Sequence, residues 1–286
     1  MLVARIESPD ITKVADCDIN PDSLQQLIAE SRGLNSVFRI NASGSCNRID
    51  VANQTVVIVN DGNLTINNTG GGNDTAATVT VRESAALTIS GYPTIYGGEN
   101  VAISIWGAST FISGYIQING GTRGISAVSS SFALLGNASF SNLESAMELY
   151  SSTGLLLGKL PSGSVFPCGG SGGDPACLII RDSNTAFDLT NSRLGLGGEF
   201  TTVSINTVKA AVTSHSSLGL RDGDLVFAET FKVKGGSVID ATGNASEHVK
   251  IWSDVQLAQN SVLDLDYDNT DDENGVGKFE INGDIE

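Results

Sequence analysis

Residues 78–123 read TVTVRESAALTISGYPTIYGGENVAISIWGASTFISGYIQINGGTR, and the second half of the stretch repeats the first. Val79 and Val81 are followed by Leu87 and Ile89, then by Ile95 and Gly97-Gly98; Ile103 and Ile105 are followed by Phe111, by Ile116 and Ile118, and by Gly120-Gly121. Apolar residues alternate with polar ones in runs of strand length, the period of a strand with one buried face. A unit of about 22 to 24 residues holding only such pairs cannot close its own core, so each unit has to stack on a neighbour.

The same type of run recurs outside this stretch. TVVIV at 55–59, TVTV at 78–81, AISI at 102–105, GISAV at 124–128, AMEL at 146–149, CLII at 177–180, TVSI at 202–205, TFKV at 230–233 and HVKI at 248–251 line up as equivalent rungs. The longer step from AMEL to CLII contains CGGSGGDPAC, residues 168–177, where an extra loop is expected. Laying equivalent strands in parallel about 4.8 Å apart satisfies their backbone hydrogen bonds and buries like residues on like. The double glycines at 97-98, 120-121, 197-198 and 235-236 would supply positive φ at the corners. The predicted fold is all-β, a parallel β-helix of roughly nine to ten coils. Residues 1–52 are expected to form an N-terminal cap and 53–286 the β-helix, with a disulfide-closed loop insertion near 161–177.

Composition agrees with many tight turns between short strands: 33 glycines and six prolines in 286 residues, with 40% apolar residues to build a core. A net charge of −16 argues against nucleic acid and anionic membrane surfaces as partners. It fits a solvated surface, or cation binding and salty surroundings. No run approaches the roughly 18 to 20 apolar residues of a membrane helix, so no membrane insertion is expected. Glu7, Asp10 and Asp16 interrupt any secretory h-region in the opening residues. The closing FEINGDIE reads as the opening of another strand turn, so the chain is expected to be a piece of a longer one.

Four cysteines fall into two local pairs, Cys17 with Cys46 and Cys168 with Cys177. No histidine stands near either pair, which favours disulfides over zinc and an oxidising compartment over the cytoplasm; buried free thiols are the alternative.

NPDSLQQLIAESRG, residues 20–33, predicts one amphipathic helix over 22–32: Asp22 or Ser23 can cap it, Leu24, Leu27 and Ile28 form its apolar face, and Gly33 stops it. An open solenoid end exposes core and strand edges, so this helix is expected to lie across the first coil.

The helix stretch DSLQQLIAES, followed by stacked runs such as GISAVSSSFALLGNASFSNLESAMELYSS, resembles the right-handed parallel β-helix proteins of the pectin-lyase-like superfamily. The resemblance covers roughly residues 20–280 in pattern and implies a right-handed coil. Its members include polysaccharide lyases and hydrolases, phage tailspikes and adhesive surface proteins, so it leaves function open. Galacturonan hydrolases of this superfamily carry GHG and RxK motifs that are missing here; a DD occurs as Asp271-Asp272. No stack of paired carboxylates suited to hydrolysis is evident. Arg82-Glu83 and Arg181-Asp182 have the form of a lyase's base and calcium ligand, but read better as surface ion pairs. No complete catalytic motif is found, so an enzyme is the less favoured reading.

In DLDYDNTDDENGVG, Asp264, Asp266 and Asp268 alternate like the oxygen ligands of a calcium loop, with Asp271 close behind. The stretch departs from the EF-hand pattern, with Asn269 at the turn-glycine position and Gly275 at that of the bidentate glutamate. A solvated acidic loop and a calcium site both remain open; no other cofactor is called for.

Strand alternation turns Val81, Ile105, Leu149, Ile180 and Ile251 inward. The next residues, Arg82, Trp106, Tyr150, Arg181 and Trp252, then point outward as a column that includes both tryptophans of the chain. Exposed aromatics and arginines on a rigid face can stack on sugar rings and hold hydroxyls or carboxylates. The expected function is adhesion or glycan binding, outside the cell or at its surface. A polysaccharide lyase or hydrolase is the alternative, and a structural spacer of a filament or phage tail the third.

Overall fold

The computed structural model describes residues 11–33, 37–68, 76–157 and 176–197, and shorter segments between 200 and 281. These residues form an all-β structure with one helix, and every strand pairing is parallel. Three ladders account for all but one of the pairings. The first runs through 11–16, 38–41, 55–59, 86–89, 110–113, 131–134, 153–157, 193–197, 217–220, 238–240 and 262–264. The second runs through 44–46, 63–67, 92–96, 116–119, 138–141, 178–181, 203–206 and 225–227. The third runs through 49–52, 79–82, 101–106, 123–128, 145–150, 185–190, 209–214, 230–234 and 255–257. From residue 38 to residue 240 the chain visits first, second and third ladder in turn and then returns to the first, one strand further on.

This register corrects the alignment of runs drawn from the sequence. TVTV, AISI, GISAV, AMEL and TFKV do share the third ladder, but TVVIV belongs to the first, and CLII and TVSI to the second. HVKI stands apart: His248–Ile251 pairs with Lys278–Ile281 in a separate two-stranded sheet. All three strands of a circuit carry the same alternation, so the pattern marks a strand without saying which ladder takes it. The step from residue 55 to residue 86 in the first ladder is also long, an excursion that the mixed alignment hides. The CGGSGGDPAC stretch lies for the most part outside the described residues; its last two, Ala176 and Cys177, open the strand Ala176–Thr190.

Inward residues of the ladders form one continuous core, with Phe111, Phe140 and Phe187 among its largest members. Large residues sit against small ones: a Cβ on Gly154 would come within 2.5 Å of the Phe132 ring. At the corner holding the double glycines, Gly98, Gly120 and Gly121 have positive φ, and a Cβ on Gly97 would meet the Gly120 carbonyl at 2.3 Å.

The helix spans Ser23–Glu30, with Leu24 and Ile28 buried and Leu27 packed partly against the core. Asp22 stands at its N-cap without a side-chain capping bond; its carboxylate accepts from Asn47 Nδ2 at 2.7 Å instead. Gln25 meets the edge of Ile49–Ala52, where its Oε1 accepts from the Asp50 backbone N–H at 2.7 Å. A backbone group that would otherwise lie bare on a strand edge is thereby satisfied. Cys17 and Cys46 form a disulfide that ties the end of the first strand to the second ladder. Parallel pairing begins upstream of residue 53, with 11–16 against 38–43 and 49–52 against 79–82.

Candidate functional site

Alternation along the third ladder sends one set of side chains into the core and the other to its outer side. Register places Asp50, Thr80, Ser104, Ser126, Glu148 and Asp188 in one outward column. Beside it runs a second: Arg82, Trp106, Val128, Tyr150 and Thr190. Trp106 is 41% exposed, Val128 43% and Tyr150 53%, so three successive strands present an open apolar track. Ile105, one residue before Trp106, is fully buried, as alternation requires.

Arg82 is held from two sides. Its Nε donates to Asp50 Oδ1 and its Nη2 to Asp50 Oδ2, both at 2.9 Å, while Nη1 donates to Glu83. These charge-assisted bonds, first of all those to Asp50, hold the guanidinium above its ordinary value despite the opposing pull of desolvation. Its Cζ lies 5.9 Å from the centre of the Trp106 ring, within cation–π range. Arg32 approaches the same Asp50 carboxylate at 3.5 Å. Gln25, Arg48, Asp50, Thr80, Arg82 and Trp106 line an open groove of about 500 Å³. Two circuits further along, Glu148 is ion-paired with Arg123.

The structure therefore joins Arg82, Trp106 and Tyr150 on one side of one ladder and separates Arg181 from them. Arg181 is exposed, but it pairs in register with Ser141 and Asn206 on the second ladder. Its place in the predicted column is an error inherited from aligning CLII with AMEL. Arg82 makes the ion pair with Glu83 that the sequence reading expects, and a further one with Asp50 that covers much of its side chain. Trp252, Asp266, Asp268, Asp271 and Cys168 lie outside the described residues. Asp264 ends a first-ladder strand in register with Asp240, and Cys177 pairs in register with Thr202. Among the described residues no group of three His, Cys, Asp or Glu side chains is placed to hold a metal ion, and no helix is long and apolar enough to cross a membrane.

Asp50, Gln25 and Val128 escape the sequence reading. Asp50 sits 32 residues before Arg82, a contact made only by stacking. A second aromatic group, on the second ladder, was legible in principle because Tyr92 and Tyr115 are one repeat apart. Their ring centres lie 5.1 Å apart, and Tyr96 is exposed nearby on the strand of Tyr92. Burial raises both the Tyr92 and the Tyr115 hydroxyl above the ordinary value, and Tyr115 adds to the shift at Tyr92.

No protein-family model, curated protein or solved structure is significantly similar to the chain, so the chemistry of this surface has to be taken from its own geometry.

Proposed function

We propose that the three ladders are the faces of a right-handed parallel β-helix, closed at its first coil by the helix Ser23–Glu30, which acts outside the cell or at its surface in adhesion by binding a glycan. The observation that carries this reading is the exposed track of Trp106, Val128 and Tyr150, set beside a column of hydroxyls and carboxylates. Aromatic rings stack on the apolar faces of sugars, while neighbouring polar side chains bond their hydroxyls. A strand ladder fixes these side chains before the ligand arrives, so little conformational freedom is lost on binding. The Cys17–Cys46 disulfide supports an oxidising location.

Calorimetry tests the reading after a glycan array has supplied a ligand. Trp106→Ala and Tyr150→Ala should each weaken binding by about three- to tenfold at unchanged melting temperature, since both side chains are on the outside. Unchanged affinity in both variants would leave the spacer role in front. Release of shortened oligosaccharides during incubation would make the chain an enzyme.

A further inference from the structure

We infer that the ligand of this surface is an extended, uncharged polysaccharide lying across the strands, along the direction in which they stack; the inference rests on the glycan-binding reading above. The first argument is geometric. Trp106 and Tyr150 are two strands apart in register, with Val128 between them, which separates the rings by about 10 Å along the ladder. That is roughly the length of a disaccharide unit in an extended chain, so two sugar rings one disaccharide apart can each meet an aromatic. A single sugar cannot reach both.

The second argument is electrostatic. The described arginines on this side are already committed: Arg82 to Asp50 and Glu83, Arg123 to Glu148, and Arg32 to Asp50. Arg48, in the groove, is engaged as well. An incoming uronate or sulfate would have to displace a carboxylate from its arginine and would then stand close to it. The neighbouring column, with Asp50, Glu148 and Asp188, repels a second anion, and the whole chain carries −16. Sugar hydroxyls meet no such obstacle, because ion-paired carboxylates keep spare lone pairs that accept from them. Ser104 and Ser126, in the same column, offer hydroxyls that donate or accept.

The test uses the whole chain and hexasaccharides of neutral glucans and mannans against hexagalacturonate and a sulfated galactan, with disaccharides as short controls. A neutral hexasaccharide should bind, with affinity changing by less than about twofold between low and high salt. Its disaccharide should bind at least about tenfold more weakly, because it cannot span both rings. A preference for the galacturonate or the sulfated chain, with steep salt dependence, would overturn this inference and leave glycan binding standing. Equal affinity for disaccharide and hexasaccharide would overturn the extended pose. Binding to no glycan in the panel or on the array would overturn both the inference and the function beneath it.

Discussion

The backbone N–H of Ser152 donates to the side-chain oxygen of Ser192 at 3.0 Å, although the two residues are 40 apart in sequence. The same bond joins Ser109 to Ser130, Ser130 to Ser152 and Ser192 to Ser216, at 3.1 to 3.2 Å, over separations of 21 to 24 residues. The hydroxyls of Ser130, Ser152 and Ser192 also donate to the carbonyls of Val128, Tyr150 and Thr190, two residues before each. Ser109, Ser130, Ser152 and Ser192 each follow a residue with positive φ: Ala108, Ser129, Ser151 and Asn191. These serines stack at the corner between the third and first ladders, and the carbonyls they hold belong to Val128 and Tyr150 of the exposed track and to Thr190, next in their column. Phase is kept across the longest step in the series, so the long excursion between Ser152 and Ser192 leaves the stack unbroken.

Removing one member of this stack should cost more than its small size suggests. Ser152→Ala leaves the Ser130 N–H without its acceptor and the Tyr150 carbonyl without that donor, for a loss of roughly 1 to 3 kcal/mol. Thr153→Ala, on the exposed side, should stay within about 0.5 kcal/mol. Denaturant midpoints compare the two, and equal values would deny the hydroxyl its role.

Inward and outward positions should respond to a carboxylate by very different amounts. Ile105→Asp places an unpaired charge in the core and should destabilise by several kcal/mol. Ser104→Asp, on the outer side of the same strand, should cost less than about 1 kcal/mol. Similar melting temperatures would contradict the alternation on which the surface is built.

The disulfide should hold the N-terminal end together. With a sequence separation of 29 between Cys17 and Cys46, its removal should cost roughly 3 to 4 kcal/mol in the chain-entropy model. Hydrogen exchange on the reduced protein should then rise first in Ser23–Glu30 and in 11–16, and uniform protection would contradict this. Non-reducing peptide maps should recover 17 linked to 46, and they also test the sequence-based expectation that 168 is linked to 177.

Alkaline pH should weaken the fold through the tyrosine pair. Burial raises the Tyr115 and Tyr92 hydroxyls, so the folded chain binds these protons more tightly than the unfolded one. Their contribution is complete below the unfolded value, 10.0, and is lost as pH rises through the folded value. Tyr115→Phe should flatten that part of the melting-temperature profile. An unchanged slope would show that the loss comes from other groups.

Much of the fold was legible because strand alternation is local. Val79 and Val81, or Ile103 and Ile105, declare an inward side within four residues, and Leu24 with Ile28 declares a helix within two turns. Trp106 and Tyr150 could be placed outside on the same grounds, and Cys17 paired with Cys46 by proximity in the sequence and the lack of a histidine near either. Which strand lies against which is a different kind of information. Three strands of like pattern make each circuit, and the chain departs from the regular step between 55 and 86 and again between 153 and 193. Register is set by the whole stack of hydrogen bonds, so no window of sequence assigns Arg181 to the second ladder and Tyr150 to the third. Tertiary structure alone brings Asp50 to Arg82, and with it decides that the charge of this arginine is already neutralised. The sequence by itself determined the sides of the strands, because side-chain direction follows from the residue next door. Only the stacked structure decided the neighbours, because those come from residues a full circuit away.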